Sequence, residues 1–196
     1  SKGNLGRLTV ASPDSILIWE YKPYAARPDK PGVVTNRYGF CERDFASREK
    51  PEGTCRIAFI GDSVTLGLWV AMEKTFSRRF ERDVASLPER ANVQTLNFGV
   101  DGYNTPQILE LLRTKALAFD PDSVVYTLCL NDFDFEDSSS EKIIYFRKPK
   151  SFVVRRLRKL GRLLTRSEYY SYHYGKNRDA VFADLIEMRD LLRERG

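Results

Sequence analysis

The chain contains no apolar run long enough to cross a bilayer, and its opening stretch SKGNLGRLTV has no signal-peptide core. It has no Gly-rich phosphate loop, which argues against a nucleotide enzyme, and no nucleic-acid-binding motif. Its three cysteines and single histidine show no zinc-ligand spacing, and nothing implies a metal or another cofactor. The odd cysteine count precludes a fully paired disulfide framework. Cys129 sits in an apolar strand-like run and reads as a buried thiol. Cys41 and Cys55 flank a polar loop, and spacing alone leaves their pairing open. Acid is missing from one segment: between Arg147 and Arg166 there are nine Lys or Arg residues and no Asp or Glu. The net charge of +5 therefore belongs to that segment, and the rest of the chain is mildly acidic.

What is present is globular. Hydrophobic residues at 42% and charged residues at 30% of 196 residues suffice for one domain with a full core. Residues 1–54 carry turn signals throughout, among them Pro13, Pro23, Pro28, Pro31, Gly32, Asn36 and Gly39. They read as an irregular lead-in packed on a domain formed by residues 55–196. Three short apolar runs, Ile57–Ile60, Val93–Phe98 and Val124–Leu130, have the length and β-branched content of buried strands. Helical periodicity lies between them. Phe76, Phe80, Val84 and Leu87 share one helix face. Thr105 and Pro106 read as cap and first turn, with Ile108, Leu111 and Leu112 as the buried stripe. A final helix is expected from about Asp179, burying Val181, Leu185, Met188 and Leu192 and ending at Gly196. Strands alternating with helices predict an α/β fold of right-handed βαβ units, a doubly wound parallel sheet. With three strands and no strand after the last helix, that sheet is expected to lack its C-terminal strands.

Ligands of open parallel sheets bind where loops leave the carboxyl ends of the strands. Three loops occupy such ends: Gly61-Asp62-Ser63, Asn97 to Thr105 (NFGVDGYNT), and Leu130-Asn131-Asp132. A serine hydroxyl can attack a carbonyl, a glycine lets its backbone N–H approach an oxyanion, and an asparagine amide is a second neutral donor. Each residue also has a purely structural reading. Ser63 could be a helix cap, Gly99 and Gly102 ordinary turn glycines, and Asn131 an Asx turn.

The blocks FIGDSVTLG, NFGVDGYNT and LND, in this order and each after a predicted strand, resemble the first three sequence blocks of the SGNH, or GDSL-type, hydrolases. The resemblance spans roughly residues 34–132. It implies a three-layer sheet of flavodoxin-like type and Ser63 as nucleophile, with the Ser63 N–H, the Gly102 N–H and the Asn131 side chain as the oxyanion hole. Asp62, Gly99 and Asp132 are the supporting residues, Asp62 and Asp132 as hydrogen-bonding partners within their loops. Two positions depart from the family pattern. Leu130 stands where the family has glycine, and no Asp-x-x-His supplies the base, because Tyr170 lies three before the only histidine, His173.

A serine without a base is a weak nucleophile, and oxyanion donors contribute about 3–4 kcal/mol each at best. The expected base lies beyond Gly196, with His173 as a weaker substitute. The function expected is hydrolysis or transfer of an acyl group from a small-molecule, carbohydrate or lipid oxygen ester. The competing reading is a non-catalytic ligand-binding or membrane-surface protein. Val153, Leu157, Leu160 and Leu164 give the basic segment an amphipathic pattern, so residues 150–166 could touch an anionic membrane surface or cover the site as a solvated helix. No nucleic-acid partner is expected.

Overall fold

A computed structural model describes residues 8–26, 33–45, 47–87, 92–135 and 166–195, with side chains in the last stretch described from residue 174. The basic segment with its proposed membrane contact falls outside these residues, as does Gly196.

Three parallel strands form the sheet: β3 (Cys55–Gly61), β4 (Val93–Gly99) and β5 (Ser123–Thr127), in the order β4-β3-β5. The central strand has both faces covered, which is why its sequence is a continuous apolar run rather than an alternating one. Ala58 and Ile60 are fully buried, and Phe59 between them is buried too. Side chains alternate across a strand, so Ala58 and Ile60 face one way and Phe59 the other. Phe59 meets the rings of Phe76 and Phe80 on α2 (Phe76–Ala85), at 5.3 and 6.1 Å. Ala58 and Ile60 share a core with Leu96, Phe98, Phe119 and residues of α3 (Thr105–Thr114). Helices thus cover both faces of a parallel α/β sheet.

The predicted stripe of α3 is buried: Ile108, Leu111 and Leu112 are each 3% exposed or less. Its cap differs from expectation. Asn104, not Thr105, is the N-cap, in a reciprocal capping box with Gln107. Asparagine is the stronger cap, and the Thr105 hydroxyl is used elsewhere, as shown below. The lead-in contributes a small antiparallel hairpin, β1 (Thr9–Ala11) with β2 (Trp19–Tyr21). Trp19, Tyr21, Phe40 and Cys41 join the same core. Gln107 Nε2 donates to the carbonyls of Ile16 and Leu17, and the Tyr103 hydroxyl to that of Trp19, tying the hairpin to α3.

Several other expectations are corrected. Strand β5 stops at Thr127 instead of reaching Leu130, because its ladder partner β3 ends at Gly61, paired with Thr127. Cys129 therefore lies in a loop and is half-buried rather than a core thiol, and Cys41 and Cys55 are both free. On α2, Phe76 and Phe80 remain 40% and 42% exposed and Leu87 is exposed, so the expected apolar stripe is not a core stripe. The sheet beneath that helix presents Thr95 and Asn97, and it is met by Ser77 and Glu81 instead. The last helix, α4 (Arg166–Arg193), begins well before Asp179. Its first half has indifferent helix propensity, and its packing supplies what propensity does not. The Tyr174 ring lies 4.8 Å from that of Phe133, Asn177 Nδ2 donates to the Phe133 carbonyl at 2.7 Å, and Val181 and Met188 are buried.

Candidate active site

The strand register brings the three loops to one rim. Gly61, the last residue of β3, stands opposite Gly99 on one side and Thr127 on the other. The Val100 N–H donates to the Gly61 carbonyl at 3.0 Å, fastening the second loop to the first. Gly99 is there for space: a Cβ on it would lie 2.2 Å from the Leu66 nitrogen and 2.7 Å from the Thr65 carbonyl carbon. Any side chain would push the helix that begins at Ser63 off the sheet.

That helix, α1, is one turn long, Ser63–Leu66. Its N-cap is Asp62, whose Oδ1 accepts from the Val64 N–H at 2.9 Å. Ser63 is thus the first helical residue and not the cap. Its side chain is half-buried at the rim, with no hydrogen bond to its hydroxyl among the described residues. The second Asp62 oxygen, Oδ2, accepts from Asn131 Nδ2 at 2.8 Å. This bond joins the first and third loops across 69 residues of chain, and it occupies one of the two Asn131 amide hydrogens, leaving the other to donate elsewhere. The bond also accounts for the Asn131 side chain without an Asx turn.

Gly102 occupies the tip of the second loop with φ +79°, exposed to solvent and open on the side where a Cβ would stand. Leu130, at the position where the family has glycine, begins a single 3-10 turn, Leu130–Phe133, and points outward with 62% exposure.

Asp132 is the most enclosed group of the third loop, with no exposed surface. Its Oδ2 accepts from the Cys129 N–H at 2.8 Å and from the Tyr126 hydroxyl at 2.8 Å. The Thr105 hydroxyl lies 3.2 Å from Tyr126 Oη and donates to the Asp132 carbonyl at 3.1 Å. Burial raises the Asp132 carboxyl to about 7; the Cys129 N–H and Tyr126 hydroxyl oppose the rise and the Asp62 charge adds to it. Cys129 is held as a thiol: burial, then the nearby Asp62 and Asp132 charges, push it up to about 12, which removes it as a competing nucleophile.

Tyr126, Thr105 and Cys129 are site residues that the sequence reading missed. Tyr126 looked like strand core and Thr105 like a cap, and the one signal was the pairing of two capping residues, Asn104 and Thr105, where a helix needs one. Among the described residues no histidine side chain joins this group. His173 lies in the backbone of α4 immediately before Tyr174, which packs on the third loop, but its side chain is outside the described residues.

Residues 59–195 match the model of the GDSL-like lipase/acylhydrolase family. Among curated proteins no sequence matches. Among solved structures the chain is similar to AlinE4, described as an SGNH-hydrolase family esterase, with 20% identity over 50% of this chain and 57% of that one, at a TM-score of 0.36. A point variant of the same esterase gives 23% identity over 43% and 44% of the two chains, also at 0.36. The lipase Lip_vut3 from goat rumen metagenome gives 20% identity over 66% and 57%, at 0.31. The chain spans about half the length of these structures, and the family assignment rests on the family model.

Proposed function

This chain belongs to the GDSL-like lipase/acylhydrolase family, and from that premise we propose that it carries the nucleophile and oxyanion donors of a serine hydrolase acting on oxygen esters. Ser63 Oγ attacks the ester carbonyl and its proton passes to a base. The C=O electron pair moves onto oxygen, where the Ser63 N–H, the Gly102 N–H and the free hydrogen of Asn131 Nδ2 receive it. Collapse breaks the bond to the leaving alcohol, which takes the proton, and water then releases the acyl group from Ser63.

The observation that carries this reading is the Asn131–Asp62 bond at 2.8 Å. It places a neutral carboxamide one residue from the serine, held by a group that also caps the serine's helix. Two supporting roles follow. Asp62 orients Asn131 and starts α1, and Gly99 lets α1 sit low enough to present Ser63 at the rim. The base in this family belongs to an Asp-x-x-His block that the sequence does not contain. A small ester of an acid with an ordinary alcohol is the substrate class proposed, carbohydrate and lipid esters both included.

With the base of the Asp-x-x-His block present, turnover of a short-chain p-nitrophenyl ester, abolished by Ser63→Ala without loss of fold, is the expected result. A folded protein that carries that base and shows neither turnover nor a phosphonate adduct at Ser63 would favour the non-catalytic ligand-binding reading.

A further inference from the structure

Asp132 has no exposed surface, and among the described residues its Oδ1 has no hydrogen-bond partner. An ionised carboxylate with one bare, dehydrated oxygen is costly. The hydroxyls around the other oxygen permit a second arrangement. In the ionised state the Tyr126 hydroxyl donates to Asp132 Oδ2. In the neutral state Asp132 Oδ2–H donates to Tyr126 Oη, the Tyr126 hydroxyl turns to Thr105 Oγ1, and Thr105 donates to the Asp132 carbonyl as it does now. Every hydroxyl hydrogen then has an acceptor in both states, and the two states differ by one proton and the rotation of the Tyr126 hydroxyl.

One further bond responds to the change. The Cys129 N–H closes the turn that carries Asn131 by donating to the same Oδ2. A protonated hydroxyl oxygen is a poorer acceptor than a carboxylate oxygen, so protonation loosens this turn.

We propose that Asp132 is a positioning residue for Asn131, exchanging a proton within the Tyr126–Thr105 hydroxyl pair and thereby tightening or loosening the turn that aims the carboxamide. The inference rests on the reading of Asn131 as an oxyanion donor for its functional meaning, but its physical content does not need catalysis. The groups facing Asp132 give the proton a reason to stay. Asp62, on the β3–α1 loop, is of like charge and acts across Asn131. Tyr126 on β5 and Cys129 on the turn are the other titratable neighbours. From α3 comes the uncharged Thr105, bonded to the Asp132 carbonyl. Where α4 packs on the turn, Tyr174 meets the Phe133 ring and Asn177 bonds the Phe133 carbonyl; Asp134 follows on the same turn.

The test is an NMR titration of the chain between pH 5 and 9, following the Asn131 side-chain amide and the Cys129 backbone amide. Both are expected to shift together with one midpoint near 7. Asp132→Asn should abolish the transition. Tyr126→Phe, which removes the phenol that donates to the ionised form, should move the midpoint upward by about one pH unit and serves if the first variant does not fold. Glu42→Gln, which removes another buried carboxyl raised to about 7, should leave both resonances unchanged. A flat wild-type profile overturns the proposal, as does a transition that survives Asp132→Asn or vanishes in Glu42→Gln. Because the readout needs no turnover, an unlabelled Ser63 with an intact titration would remove the esterase reading and leave this one standing.

Discussion

The two faces of the sheet are held by different physics. The face under α3 is an apolar core in which Ala58, Ile60, Leu96 and Phe98 meet Ile108, Leu112 and Phe119, with Phe40, Trp19 and Tyr21 of the lead-in packed alongside. The rings of Phe40 and Phe119 stand 4.7 and 5.2 Å from that of Phe98, edge to face. The face under α2 sets a charge and hydrogen-bond network around the Phe59, Phe76 and Phe80 rings. Glu81 accepts a two-pronged bond from Arg43, another from Arg78, and two from the Thr95 N–H and hydroxyl. Glu42 takes the Asn97 N–H, and the Asn97 side chain takes the Gly99 N–H.

These last bonds show what the polar face is for. Thr95, Asn97 and Gly99 are alternate residues of edge strand β4, and their outward donors are all closed by side chains, so the edge offers no template for another strand. The apolar face gives stability through area and the polar face gives it through direction. The site sits where the two meet, at the rim that both sets of loops share.

The largest expected effect comes from the apolar face. Phe98→Ala should cost about 3–5 kcal/mol in chemical denaturation, since it empties the ring cluster. Glu81→Ala should cost about 3 kcal/mol by leaving two arginines and the Thr95 donors without their acceptor. A cost under 1 kcal/mol there would mean that the network is not a structural element at all. Next comes pH. Asp132 and Glu42 at about 7 and Asp184 at about 6 are all raised, chiefly by burial. Between pH 4 and 7 the folded chain then binds more protons than the unfolded one, so thermal stability should fall as pH rises through that window and level off above it. Glu81 has the opposite sign: burial opposes, but Arg43 and Thr95 hold it below the usual carboxylate range. Its contribution should be lost as pH falls below about 4. Glu42→Gln should flatten part of the upper slope and raise the melting temperature at pH 8. The smallest effect is Phe76→Ala on the polar face, at about 1 kcal/mol or less, because that ring is 40% exposed in the folded chain.

The sequence made the parallel sheet and the three rim loops legible because buried strands and strand-end glycines leave local marks. Ile57–Ile60 is an unbroken apolar run, Val93–Phe98 sets Val93, Leu96 and Phe98 among polar residues, and Gly61 and Gly99 fall where the register needs them. What escaped depended on neighbours distant in the chain. Phe76 and Phe80 carry a core-like pattern, yet Thr95 and Asn97, which lie opposite, decide that the helix meets the sheet with Ser77 and Glu81. Thr105 looks like a cap until Asn104 is seen in that role and its hydroxyl is found on Tyr126 and Asp132. Asp62 could be read as a loop acid, but its hold on Asn131 could not, because it joins residues 69 apart.

The central claim is that the rim presents Ser63 to an ester carbonyl with Asn131 beside it. The measurement that reaches it most directly is the rate at which a fluorophosphonate labels Ser63, read by peptide mass spectrometry in the wild-type chain and in Asn131→Ala. With the base of the Asp-x-x-His block present, a Ser63 adduct is expected in the wild type and labelling slower by about two orders of magnitude in the variant. Equal rates in the two folded chains, or an adduct on any residue but Ser63, would contradict it.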